Sequence, residues 1–177
     1  MEHGFGTTHF ALTLANYICS KMGMRVAYVE LNGSGHISSL KKHRDVKNFS
    51  FQGITFFPNV TITSLAEILC SDYPYFILDM GIISTYTVQE FLRCDKPFLI
   101  CSPCAWRYHQ TKDKIEKTFK NISYKNQLTV VLNLCEKESN FPIFLKQCRH
   151  VLFPYLPNPF QIEPKHFSAI SQILERN

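Results

Sequence analysis

The opening of this chain, MEHGFGTTHFALTLANYI, holds the residues best suited to an anion. Gly4 and Gly6 let backbone N–H groups come close to a negative ligand. Thr7 and Thr8 then open a helical pattern whose amino end adds partial positive charge. A G-x-G before a helix is also an ordinary structural turn. A second candidate is the stretch DYPYFILDMG, an apolar run ending in Asp79. An acid at the end of such a strand can steer magnesium beside phosphates, or simply terminate the strand. A third stretch, RVAYVELNGSG, delivers Glu30 and Asn32 to the carboxyl edge of a sheet, where ligands sit in open α/β folds. The fourth is the C-x-x-C of Cys101 and Cys104, between a strand and a helix. That placement can lower a thiol pKa, and Cys94 and His109 lie near enough in sequence to complete a zinc set. With no second C-x-x-C in the chain, buried free thiols are the simpler reading.

These residues need elements to position them. The spacing of Phe10, Leu12, Leu14, Ala15, Ile18 and Met22 predicts a helix over 7–22, stopped by Gly23. Strands are predicted at 25–31, 53–59, 75–81, 96–103, 127–134 and 150–157 from β-rich or continuously apolar runs. Helices are predicted at 63–70, capped by Thr63 or Ser64, and at 87–95, 105–121, 141–148 and 165–177. Strands alternating with helices define an α/β fold, a three-layer arrangement with a mostly parallel sheet and helices on both faces. No repeat or linker interrupts it, so 1–177 reads as a single domain.

Composition bounds the partners. With 45% hydrophobic and 19% charged residues the chain is globular rather than disordered. A formal charge of +5 permits an anionic ligand but does not indicate nucleic acid, because the basic residues are dispersed. The densest run, Lys41-Lys42-His43-Arg44, reads as a solvated loop. No stretch approaches the roughly 20 apolar residues of a membrane span, and no secretory signal opens the chain. The expectation is therefore a cytoplasmic protein whose seven cysteines are free thiols. The N-x-S/T triplets at Asn48, Asn59 and Asn121 are then chance matches. A stripe of Phe167, Ile170, Ile173 and Leu174 on the last helix packs on the sheet or makes peripheral membrane contact.

Taken together, these motifs resemble the MinD/ParA-like branch of the P-loop NTPases over nearly the whole length. That family carries a deviant Walker A loop, K-G-G-x-G-K-T-[ST], followed by A-x-N-L-A. In register, Gly4 and Gly6 fall on loop glycines, Thr8 on the magnesium-ligating threonine, and Ala11-Leu12-Thr13-Leu14-Ala15 on the helix motif. Glu30-Leu31-Asn32 falls on a D-x-D, and Tyr73 to Asp79 on the Walker B strand. Val130-Val131-Leu132-Asn133 matches a strand whose Asn contacts adenine, and Leu156-Pro157 falls where the base is bracketed. The resemblance implies ATP or ADP with magnesium on Gly4, Phe5, Gly6, Thr7, Thr8, His9, Asn133 and Pro157. Thr8 and Asp79 would hold the metal, and Glu30 and Asp79 would serve catalysis in an active member.

The departures are pronounced. Glu2 stands where the family's opening lysine would be, and Thr7 where a lysine would reach the β- and γ-phosphates. Losing that charge-assisted donor costs about 3 kcal/mol of transition-state stabilisation. Asn32 replaces the second acid. The expectation is a degenerate domain, binding nucleotide weakly or not at all, with little or no hydrolysis. It would act in regulation or localisation through a protein partner or homodimer. Two other readings stay open: an ATPase in which His9, Arg93 or Arg107 substitutes for lysine, and a thiol or zinc protein using Cys101 and Cys104. The family's central first strand precedes the loop, whereas this sequence begins at the loop. The expectation is a sheet lacking that strand, with the true start upstream of Met1.

Overall fold

Nine consecutive buried residues, Phe10 to Ile18, make α1 (Thr7–Ser20) a core helix rather than a surface one. The computed structural model describes residues 5–41, 46–102, 108–119, 128–134 and 149–175. It resolves into two compact units, one of residues Thr7–Gly81 with Asn158–Ile162, the other of Met1–Gly6, Ile82–Pro157 and Glu163–Asn177.

In the first unit, β1 (Val26–Glu30) is buried at every position, as a central parallel strand must be. It lies between β3 (Ile54–Phe57) and β4 (Tyr75–Asp79), parallel to both. Outside β3 runs β2 (Phe49–Phe51), antiparallel, giving the order β2-β3-β1-β4. The strands of this hairpin meet through Gln52 and Gly53, both at positive φ, 47° and 79°. That is the signature of a two-residue turn whose twist suits the flanking strands. The helix α1 packs on β1, β3 and β4. Residues 158–162 join this unit: Pro159 O accepts from Asn16 Nδ2 at 3.1 Å, and Phe160 meets Phe51 edge to face.

The helix α2 (Ile62–Leu69) begins one residue earlier than the sequence suggests, and its cap is Thr61 rather than Thr63 or Ser64. Thr61 has extended backbone, so its Oγ1 can turn back to accept from Ser64 N at 3.3 Å. The Ser64 hydroxyl completes the reciprocal box by accepting from Thr61 N.

The second unit holds a three-stranded parallel sheet of β5 (Phe98–Cys101), β6 (Thr129–Asn133) and β7 (Arg149–Phe153), in that order. Its α-helices among the described residues are α3 (Val88–Arg93), α4 (Tyr108–Thr118) and α5 (Phe167–Glu175). Ile170 and Ile173 of α5 are buried and the helix packs on β7, while Phe167 and Leu174, the other half of its apolar stripe, are half-buried. The Lys96 ammonium donates to the Leu174 carbonyl near the end of α5, where a cation complements the helix dipole. The helix expected at 141–148 lies outside the described residues. Among the described residues β4 and β5 are each the outer strand of their sheet, pairing with β1 and with β6 respectively. No described helix is long and apolar enough to cross a membrane.

Candidate functional site

Parallel pairing of β1 with β4 places Glu30 directly beside Asp79, at the carboxyl ends of both strands. Both acids are buried. Neighbouring buried carboxylates repel and are costly to desolvate, so each needs its own donors. The structure supplies two separate sets.

Asp79 draws on side chains. Its Oδ2 accepts from Thr8 Oγ1 at 2.7 Å, Tyr28 Oη at 2.8 Å and Asn32 Nδ2 at 2.9 Å. Its Oδ1 accepts from the Gly81 amide at 3.0 Å. Tyr28 precedes Glu30 by two residues on β1 and therefore shares its face. Burial, and then the Asp79 charge, push the Tyr28 hydroxyl far above its ordinary pKa, so it is a permanent donor. Gly81 sits at φ 58°, and a Cβ there would lie 2.6 Å from the Asn32 Cβ. Glycine at this position is what lets Asn32 reach Asp79.

Glu30 draws on loops. Its Oε1 accepts from Ser34 Oγ at 3.1 Å and Ile37 N at 3.4 Å, and its Oε2 from Asn59 N at 3.2 Å. The carboxylate thus ties the turn after β1 to the turn after β3. Asn59 itself stands at φ 53°, a position that asparagine tolerates better than most residues.

In the second unit, the described part of the opening loop is Phe5 and Gly6. The Asn133 side chain donates from Nδ2 to Phe5 O at 2.7 Å, and its Oδ1 accepts from Leu134 N at 3.0 Å. Gly6 has φ 81°, and a Cβ there would stand 2.3 Å from Asn133 Nδ2. The residue at this position must therefore lack a side chain. Leu134 follows β6 exposed and at φ 59°, while Pro157 is exposed just after the buried Leu156.

The first unit thus brings Thr8, Asp79, Glu30 and Asn32 together, and adds Tyr28, Gly81 and the Asn59 amide. The sequence reading missed these three. Tyr28 carried a signal, because a tyrosine in an otherwise aliphatic buried strand needs a partner for its hydroxyl. Thr7 and His9 lie in the first turn of α1. Arg93 pairs with Glu90 at 2.8 Å on α3. Glu2, Gly4, Cys104 and Arg107 lie outside the described residues, as does the His109 side chain. Cys101 is buried in β5, and the cysteines among the described residues, 19, 70, 94 and 101, are unbridged. The Cys94 thiol is pushed up to about 11 by burial and then by the neighbouring Asp95 and Glu90. Among the described residues no group of three or more His, Cys, Asp or Glu is placed to hold a metal ion.

Solved structures share this architecture. The ParA family ATPase from Chlorobium tepidum TLS matches with a TM-score of 0.67 at 15% identity, over 98% of this chain and 94% of its own. The MinD cell division protein of Aquifex aeolicus gives 0.67 at 14%, over 99% and 92%. Cobyrinic acid a,c-diamide synthase from Mycobacterium smegmatis, solved with a bound ATP analog and magnesium, gives 0.59 at 15%, over 97% and 88%. The chain has the fold of the ParA/MinD-type P-loop NTPases. No protein-family profile and no curated protein sequence matches it.

Proposed function

We propose that this chain is a ParA/MinD-fold protein that has given up phosphoryl transfer and serves in regulation or localisation through a protein partner or a second copy of itself. One observation carries the reading: the loop that leads into α1 reads Gly6-Thr7-Thr8-His9, with a neutral threonine at the position of the phosphate-binding lysine. That position therefore lacks the charge-assisted donor that would follow the transferring phosphoryl group. Glu30 supports the same reading. Its oxygens are engaged by Ser34, Ile37 and Asn59, which suits an organiser of loops better than a base that positions water. The loop amides and the start of α1 still favour an anion, so weak binding of ATP or ADP on Phe5, Gly6, Thr7 and Thr8 belongs to the proposal.

The test is calorimetric titration of the chain with ATP and ADP in magnesium, beside a phosphate-release assay. Binding weaker than micromolar and release at background are expected. Thr7→Lys should tighten ATP at least tenfold, the effect of one added charge-assisted donor. Magnesium-dependent release above background from well-folded wild type would overturn the proposal in favour of an active ATPase.

A further inference from the structure

We infer that the Thr8–Asp79 pair is closed to divalent cations, so that an anion held on the loop binds without magnesium. The first clause rests on the geometry of Asp79 alone; the second rests on the anion-binding reading above. Magnesium demands near-octahedral oxygen ligands, and its protein ligands are usually one or two carboxylates with free lone pairs. Here Asp79 is the one carboxylate bonded to Thr8, since the neighbouring Glu30 is held by Ser34, Ile37 and Asn59 and the Asn32 amide stands where a second acid would face Asp79, at 2.9 Å. The oxygen nearest Thr8 already accepts three hydrogen bonds, from Thr8, Tyr28 and Asn32. The other oxygen accepts from Gly81 N. Each carboxylate oxygen has two lone-pair sites, so Oδ2 stays filled by Tyr28 and Asn32 even when Thr8 turns its hydroxyl away, while Oδ1 takes one donor.

A cation held between Thr8 Oγ1 and Asp79 Oδ2 must therefore displace Tyr28 or Asn32. Displacing Tyr28 strands a hydroxyl that is 0% exposed, in a strand buried on all sides. Displacing Asn32 leaves an amide wedged over Gly81. The donors do locally what the cation's charge does elsewhere: they satisfy the acid. Magnesium does not fit these residues as they stand.

The measurement is titration of the full chain with manganese alone, followed by electron paramagnetic resonance of the free ion, on wild type, Asn32→Asp and Asp79→Asn. Wild type should show no manganese binding that Asp79→Asn removes. Asn32→Asp pairs two carboxylates where an amide now donates, and should gain binding at least tenfold. Where circular dichroism shows Asn32→Asp unfolded, Tyr28→Phe takes its place, with a smaller gain expected. Wild-type binding that is lost in Asp79→Asn overturns the inference, and so does a folded variant that gains nothing. A second arm compares ATP binding in magnesium and in EDTA. Equal affinities support the inference, and tenfold tighter binding in magnesium overturns it. Absence of ATP binding in both buffers removes nucleotide from the proposed function, while the manganese result still decides whether the pair is closed.

Discussion

The hydroxyl of Tyr28 donates to Asp79 Oδ2 across 2.8 Å, between two side chains that water does not reach. A buried hydrogen bond to a charged acceptor is worth more than a neutral one, and removing the donor leaves the acceptor short. Tyr28→Phe should lower unfolding stability by about 1–2 kcal/mol, read as a shift in the urea midpoint at constant slope. An unchanged midpoint would mean that Thr8 and Asn32 alone satisfy the acid.

Glu30→Gln tests the clamp between two turns. The amide is nearly isosteric but points a donor at one of the groups that now donate to Glu30. The cost should be about 2–3 kcal/mol, with faster hydrogen exchange at the Ile37 and Asn59 amides in particular. If those amides keep their protection, the carboxylate does not organise the loops.

Gly6→Ala puts a methyl 2.3 Å from the Asn133 amide at a backbone φ of 81°. Both the clash and the left-handed conformation oppose it. A loss of about 2 kcal/mol or more is expected, with Asn133 Nδ2 shifted from Phe5 O in a structure of the variant. Gly23→Ala supplies the comparison, because Gly23 has positive φ but nothing within 4 Å of an added Cβ. The difference between the two variants isolates the contact with Asn133.

Alkylation of Cys94 by iodoacetamide, followed site by site in a mass spectrometer, should reach half its limiting rate near pH 11 rather than the ordinary 9.0. At pH 9 about one-hundredth of this thiol is ionised, against half of an unperturbed one. The folded-state value lies above the unfolded one. The stabilising contribution is therefore complete below pH 9 and is lost as pH rises through 11. Fast labelling at neutral pH would show that Cys94 is neither buried nor flanked by acids as described.

The parts of the fold that were legible in sequence are those written as apolar runs. The strands 26–30, 98–101 and 129–133 are almost wholly buried and announce themselves, and 75–79, half-buried from Tyr75 to Leu78, is written as an equally apolar run. β2 does not, because its three residues are half-buried or exposed and its turn uses Gln52 where Asn or Asp is the usual signal. Asp79 was legible as an acid closing an apolar strand, and Thr8 as a hydroxyl opening a helix. The other donors to Asp79, Tyr28 and the Gly81 amide, were not. Tyr28 looked like one more core residue, since burial and hydrogen bonding are indistinguishable in a hydrophobicity pattern. Asn133 was legible as a polar residue closing an apolar strand, but the bond from its amide to Phe5 O is a tie across 128 positions that no local pattern reports.

The hairpin of β2 and β3 has a consequence for how molecules of this protein meet one another. Among the described residues β2 is the outer strand on its side of the sheet and is only three residues long, running Phe49 to Phe51 before Gln52 and Gly53 turn the chain back. A neighbouring chain seeking to add itself there would find too short a ladder to hold on to, and an exposed Ser50 in place of an apolar row. On this flank the polypeptide resists polymerising strand upon strand, and the brevity of β2 is what protects it.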